Sequence, residues 1–432
     1  MSHKRHAGLI ALALAVAPLA ACGGGDSGGG SGGGGGGAFD KALDSRGPIT
    51  YVQGKDNSGL VQPLIDAWNK DHPDEKVTLK EQTVDANQQH DDLVRNFDAK
   101  NADYDVVSVD VVWTAEFAAK GYLQPLKDKM AIDTSAMLKP TVDAATYNGT
   151  LYAGPVTSDG GMLYYRSDLV KTPPKSWDDM MGMCSIAKKN KMDCYAGQFA
   201  KYEGLTVNAA EAINTAGGTF VSEDGKKSTV DSSESAKGLD RLVQAFKDGN
   251  IPAAAIGYKE EEGRLSFEAG KLLFLRNWPY VYSLASTDAS SKVKGKFAVA
   301  PLPGDDGSAP GASSLGGHNA AISAFSDHKA TALDFIKYLE SDGVQRQYLL
   351  KASNAPCLAA LYDDPELQKK VPYLKTLGTS IGSAVPRPVT PFYPAVTQAI
   401  SDNAYAALKG SVDTKSALSS MAQAIDGASS GG

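Results

Sequence analysis

Residues 49–112 read ITYVQGKDNSGLVQPLIDAWNKDHPDEKVTLKEQTVDANQQHDDLVRNFDAKNADYDVVSVDVV, and their alternating periods decide the fold class. Residues 49–53 are a short apolar run of strand type. In 60–70, Val61, Leu64, Ile65 and Trp68 recur at spacings of three, four and seven, which lines up one face of a helix. Asp56, Asn57 and Ser58 stand just before it and suit a helix cap. Residues 77–81 alternate as a strand, and 88–99 form a helix with Leu93, Val94 and Phe97 inward. Residues 104–112 are a strongly apolar strand interrupted by Ser108 and Asp110. Strand, helix, strand, helix, strand predicts an α/β architecture with a doubly wound parallel sheet. Far downstream, Ala332, Phe335, Ile336 and Leu339 mark another helix face.

The chain has 432 residues, too many for one ordinary core, so two or three domains are expected. Hydrophobic residues at 42% and charged residues at 22% exclude a largely disordered chain and a polytopic membrane protein. A net charge of −7 excludes general nucleic-acid binding, which needs a basic face. Six His and four Cys make a metal centre unexpected, and no cofactor is called for.

The first residues are an address. His3, Lys4, Arg5 and His6 precede an apolar run over 7–17 that Pro18 ends. Charge, length and order are those of a secretory signal peptide, spanning 1–21 and too short for a comfortable membrane span. Leu19-Ala20-Ala21-Cys22 resembles the lipobox of bacterial lipoproteins, which implies cleavage before Cys22 and lipidation of its thiol. Residues 22–38 then form a lipidated Cys and a Gly-rich tether with a reach on the order of 20 Å. A G-x-S-x-G match at Gly29–Gly33 lacks the strand and helix that serine-hydrolase chemistry requires. The expected place is the outer face of the cytoplasmic membrane, extracellular, held by the lipid anchor only. In that oxidising setting Cys184 and Cys194, ten apart, are the expected disulfide, with a pair involving Cys357 as the alternative.

Ligands of open α/β sheets sit beyond the carboxyl ends of the strands. The segments 53–57 and 88–90 and the carboxylate of Asp110 fall there. A carboxylate late in an apolar strand must be paired or solvated. Asp110 therefore either accepts hydrogen bonds from a ligand in a cleft or caps the next helix, around Thr114.

An ordered set of segments carries a family resemblance. It runs from DVVSVDVVWTAEF (105–117) and Gly121-Tyr122-Leu123-Gln124-Pro125-Leu126 through Tyr147-Asn148-Gly149, Tyr152-Ala153-Gly154-Pro155 and Asp159 to Leu163-Tyr164-Tyr165-Arg166. It continues with Pro174-Lys175-Ser176-Trp177-Asp178-Asp179, Tyr202-Glu203-Gly204-Leu205, Gly217-Gly218, FEAGKLLFLRNWPY (267–280), Gly316-Gly317-His318-Asn319-Ala320 and Pro386-Arg387-Pro388. Together these resemble family 1 extracellular solute-binding proteins, the sugar receptors of ABC importers, and within them the trehalose/maltose (α-glucoside) group. The resemblance implies a two-lobed periplasmic-binding-protein type II fold with crossing hinge strands. It places lobe one at 48–155 plus 315–365 and lobe two at 156–314 plus 366–432, with hinges near Pro155, Ser313 and Asp363.

The same resemblance implies a site. Trp278 and Tyr280, held apart by Pro279, would present rings to the apolar face of a sugar, unless both are core aromatics. Asp110 and Asp159 would accept from sugar hydroxyls. Arg387, between two prolines, would donate to the sugar, the alternative being a surface ion pair. Gly317 would let the backbone approach the ligand closely. His318 stands where the group often has Trp. The first-loop acid falls at Asp56 or Asn57, and a basic position on the second helix falls at Gln89 or His90. Trp113 and Glu203 either face the cleft or are structural, and Trp68 and Trp177 are packing residues. The implied protein is a monomeric receptor that delivers a disaccharide or oligosaccharide to the transmembrane subunits of an ABC permease, without chemistry on it. A receptor for a different oligosaccharide or glycerol phosphate is the alternative, and a secreted glycosidase is the more distant one.

Overall fold

A computed structural model describes residues 38–222 and 227–430. The expected signal peptide, the lipidation site Cys22 and the Gly-rich run after it lie outside the described residues. The first sheet begins with β1 (Ile49–Gln53), β2 (Val77–Glu81) and β3 (Val106–Asp110), with β1 central and parallel to both. The helices Val61–Asp71 and Ala86–Asp98 connect them. The first buries Val61, Leu64, Ile65 and Trp68, and Asp56 caps it by accepting from Val61 N at 2.9 Å. The second starts two residues earlier than its periodicity predicts, because Asp85 caps it through Gln88 N at 3.0 Å.

A hairpin of β4 (Thr146–Tyr147) and β5 (Thr150–Leu151) leads to β6 (Ala153–Thr157), the far edge of the first sheet. The chain then builds a second sheet from β7 (Met162–Tyr165), β8 (Asp193–Ala196), β9 (Leu272–Asn277) and β10 (Ala298–Pro301), in the order β10-β7-β9-β8. It returns through β11 (Ser313–Ser314) to β12 (His318–Ile322), which lies between β3 and β6. A last short strand, β13 (Ala384–Val385), pairs with β11. Of the expected hinge positions, Pro155 lies in β6, Ser313 in β11, and Asp363 ends the 3₁₀ turn Ala359–Asp363.

The first sheet is therefore mixed rather than purely parallel. β12 runs antiparallel to both neighbours, pairing His318 with Asp110 on one side and with Thr157 on the other. The cause is the route of the chain. It re-enters from the second lobe at the carboxyl ends of β3 and β6, so β12 must run back down between them. That route gathers Asp110, Thr157 and His318 on one edge.

Two apolar layers cover the first sheet, one including Trp68, Phe335, Ile336 and Leu339, the other Leu93, Phe97, Val107 and Phe117. A third core fills the second lobe around Leu163, Phe199, Phe274 and Leu377. Cys184 and Cys194 are joined by a disulfide, Cα to Cα 5.1 Å, and Cys357 is free and buried. Among the described residues no helix is long and apolar enough to cross a membrane.

Candidate functional site

One cavity of about 330 Å³ lies between the two sheets, and its wall includes Asn57, Gln89, Asp110, Asp159, Glu203, Trp278, Tyr280, Gly317, His318 and Arg387. These residues come from separated parts of the chain, and the topology explains their meeting. The first-sheet side contributes the end of β1, the end of β3 and the start of β12. The second-lobe side contributes the start of the helix Glu203–Thr215 and the turn after β9.

The floor is an ion network. Arg387 is 3% exposed, so it is not a surface ion pair. Its Nη1 donates to Glu203 Oε1, and its Nη2 donates to Asp110 Oδ1 at 3.1 Å and to the Leu315 carbonyl at 3.3 Å. Tyr393 Oη donates to Glu203 Oε1 and Thr397 Oγ1 to Oε2, each at 2.5 Å. Burial pushes the Glu203 carboxyl upward, and the Arg387 charge opposes it. Arg387 lines the cavity with its terminal nitrogens held by two carboxylates and a carbonyl, while its Nε is buried without a partner. Asp110 lines the cavity, and its Oδ1 accepts from Val112 N at 3.2 Å in the turn before the helix Thr114–Ala119, which it does not cap.

The aromatic wall follows β9. Trp278 and Tyr280 are half-buried and line the cavity, and Tyr280 also packs against the core of the second lobe. Pro279 separates them, and Tyr164 Oη fixes the turn by donating to the carbonyls of Trp278 at 2.8 Å and Pro279 at 3.1 Å. Tyr280 Oη donates to Glu261 at 2.7 Å.

Asp159 lies in the loop between β6 and β7, its backbone paired in both directions with Gly316. Its Oδ1 is buried without a hydrogen-bond partner. Burial pushes this carboxyl up to about 7, and the charge of Asp110 adds to the effect. Gly317 has φ +107°, and a Cβ there would lie 2.1 Å from the Thr157 carbonyl oxygen, so glycine is required. His318 is exposed within the cavity wall.

The remaining candidates divide. Asn57 and Asp56 both line the cavity, but Asp56 is occupied as the helix cap. Gln89 lines the wall while its amide donates to the Thr83 carbonyl at 2.7 Å. His90 turns away to Glu116, at 2.7 Å. Trp113 and Trp68 are 4% exposed in the core, and Trp177 packs edge-on against Tyr195. The acids Glu260, Glu261 and Glu262, with Tyr202 and Lys259, line the cavity and were not anticipated. An acidic first helical turn reads from sequence as a complement to the helix dipole, so nothing marked them.

The wall carries both aromatic side chains and carboxylates, and its cations are engaged. Lys55 pairs with Glu81 at 2.5 Å, Lys259 with Asp85, and Arg387 as above. Such a wall suits a neutral polyhydroxylated solute with an apolar C–H face. Among the described residues no group of His, Cys, Asp and Glu could hold a metal ion.

The cavity thus lies between two α/β lobes joined by crossing strands. The chain belongs to the family of bacterial extracellular solute-binding proteins, which matches residues 51–346. A probable ABC transporter-binding protein of Deinococcus radiodurans is 35% identical over 324 residues, covering 72% of this chain and 76% of that one. The maltotriose-binding protein of Pyrococcus abyssi is 26% identical over 66% of this chain and 61% of its own length. The structure of maltose-bound MalE3 of T. maritima superposes with a TM-score of 0.82 at 32% identity, over 88% of this chain and 98% of that one. The GacH receptor of Streptomyces glaucescens shares the fold, with a TM-score of 0.79 at 24% identity over 89% and 99% of the two chains. The type II, two-lobed fold is thereby established.

Proposed function

We propose that the protein is the membrane-anchored substrate-binding lipoprotein of an ABC importer. It captures an α-glucoside disaccharide or oligosaccharide, such as trehalose or maltose, and delivers it to the permease. The observation that carries this reading is the cavity wall itself. Trp278 and Tyr280 offer rings to a sugar face, and Asp110 and Asp159 offer carboxylate oxygens to its hydroxyls, from opposite sides of one cleft. The volume of about 330 Å³ lies at the low end of the range for small-molecule sites, about 300–1,000 Å³, and favours a short saccharide. The maltose-bound and maltotriose-binding relatives support the α-glucoside class. Phosphate-bearing solutes are disfavoured, because Lys55, Lys259 and Arg387 already hold carboxylates. Cleavage after Ala21 and lipidation of Cys22 tether the body, with the lobes bounded as the resemblance implies.

Calorimetric titration with trehalose, maltose, sucrose, maltotriose, cellobiose and glycerol phosphate tests the reading. Binding of an α-linked glucoside at a micromolar dissociation constant, about −8 kcal/mol, is expected. Folded, ligand-free protein that binds none of the neutral sugars would overturn the assignment.

A further inference from the structure

A pair of charges that takes no part in the floor network joins the two walls of the cleft. Asp85 closes the loop after β2 and caps the helix Ala86–Asp98 with one oxygen. Its other oxygen, Oδ2, receives the ammonium of Lys259, which lies 174 residues away and immediately precedes the helix Glu260–Glu268. The first helix belongs to the lobe of β1–β3, and the second leads into β9 of the other lobe. Beside the pair, Asn87 Oδ1 accepts from Glu203 N at 3.3 Å, a second bond between the same two sides. Lys259 also lies 5.1 Å from the ring centroid of Tyr202, whose hydroxyl donates to Glu260 at 2.6 Å.

The setting makes this pair more than a surface contact. The side chain of Asp85 is 13% exposed and that of Lys259 is 38% exposed, so screening by solvent is partial. Asp85 is also the N-cap of its helix, so its carboxylate complements the positive dipole end there while it holds Lys259. The bond spans the cleft, so separating the lobes breaks it, whereas the floor network stays near the crossing strands.

We propose that Asp85 and Lys259 form an interlobe clasp, a bond made on closure that slows ligand escape by holding the lobes together rather than by contacting the ligand. The clasp rests on the receptor reading above. A contact that completes after encounter acts on the dissociation rate more than on the association rate.

The test uses the full chain with Asp85→Asn, which keeps a capping side chain, and Lys259→Met, which keeps the stem over Tyr202. Maltotriose association and dissociation are followed by stopped-flow tryptophan fluorescence. Each single variant is expected to release maltotriose about five-fold faster with an unchanged association rate, a scale set by partly exposed ion pairs. The double variant should be no faster than either single one, and high salt should narrow the gap from wild type. Additive effects, or an unchanged dissociation rate, would overturn the clasp. If wild type binds no maltotriose, the rates are followed with the sugar that the calorimetric panel identifies; if no neutral sugar binds, the sugar reading fails instead, and the clasp is judged without ligand. Spin labels on the exposed positions Lys70 and Lys247, one in each lobe, report the distance between lobes. Longer distances in Asp85→Asn and Lys259→Met support the clasp, and an unchanged distribution overturns it.

Discussion

Arg276 lays its guanidinium over the ring of Trp278, 3.9 Å from the centroid, while Glu211 grips the same group through Nε at 2.7 Å and Nη2 at 2.5 Å. One face of the indole is thereby occupied by a fixed cation, and the residue lines the cavity. Arg276 is 1% exposed, so the bracket is as rigid as the core around it. Arg276→Met should lower stability by about 3–5 kcal/mol, because it leaves Glu211 buried and unpaired. Pairing it with Glu211→Gln should recover part of that loss in a thermal melt. Sugar affinity should stay reduced in both, because the indole is no longer held.

Trp278→Ala removes the ring itself. A loss in affinity of at least about tenfold is expected from the missing stacking surface, with Trp278→Phe intermediate. Calorimetry on the same sugar panel measures it, and an unchanged dissociation constant would place the sugar elsewhere.

Asp159 gives the binding a pH dependence. Its carboxyl titrates near 7 in the folded chain, above the ordinary carboxylate range, because it is buried. A sugar hydroxyl donating to it favours the ionised form, so affinity should rise as pH increases from about 6 to 8. Stability should move oppositely. Between the unfolded value near 4 and the folded value near 7 the folded state binds more protons, so stability falls as pH rises through that window. Glu340, pushed to about 8 by burial, adds a fall of the same sign. Asp159→Asn should therefore remove the slope in affinity and only part of the slope in stability. An affinity slope that survives in Asp159→Asn would assign the titration to another group.

Glu203 tests the floor. Glu203→Gln takes one carboxylate from Arg387 and leaves its charge buried beside Asp110 alone. A stability loss of about 2–4 kcal/mol is expected, together with weaker sugar binding as Arg387 and Asp110 rearrange. Chemical denaturation and calorimetry separate the two effects.

The disulfide contributes through a short loop. Cys184 and Cys194 are ten apart, which limits the entropic gain to about 3 kcal/mol. Reduction, or Cys184→Ala with Cys194→Ala, should lower the melting temperature by several degrees on that scale. Cys357 is 1% exposed and should react with a thiol reagent only after unfolding.

Periodicity made the first half of the first lobe legible. Val61, Leu64, Ile65 and Trp68 face inward as their spacing requires, and β1, β2 and β3 are parallel as the connecting helices require. The direction of β12 was not legible, because His318 pairs with Thr157 after a return of 161 residues rather than through any local pattern. The site divides in the same way. Trp278 and Tyr280 were reached through the family resemblance carried by residues 267–280. The partners of Arg387 do not, since Glu203 is 184 positions distant and Asp110 is 277. Sequence identified the arginine but not that it is clamped. Asp85 and Lys259 carry no local signal that links them, and only folding makes them neighbours.

The backbone around Gly316 and Gly317 sets where selectivity can evolve. At Gly316 an added Cβ would lie 2.7 Å from the Trp278 ring, and at Gly317 it would lie 2.1 Å from the Thr157 carbonyl oxygen. Both positions are closed to change, since any side chain displaces either the stacking wall or the pairing of β6 with β12. His318 follows directly, is exposed, and points its chemistry at the same space. A change of side chain at His318 therefore alters the cavity wall without the clashes that a Cβ at Gly316 or Gly317 would meet.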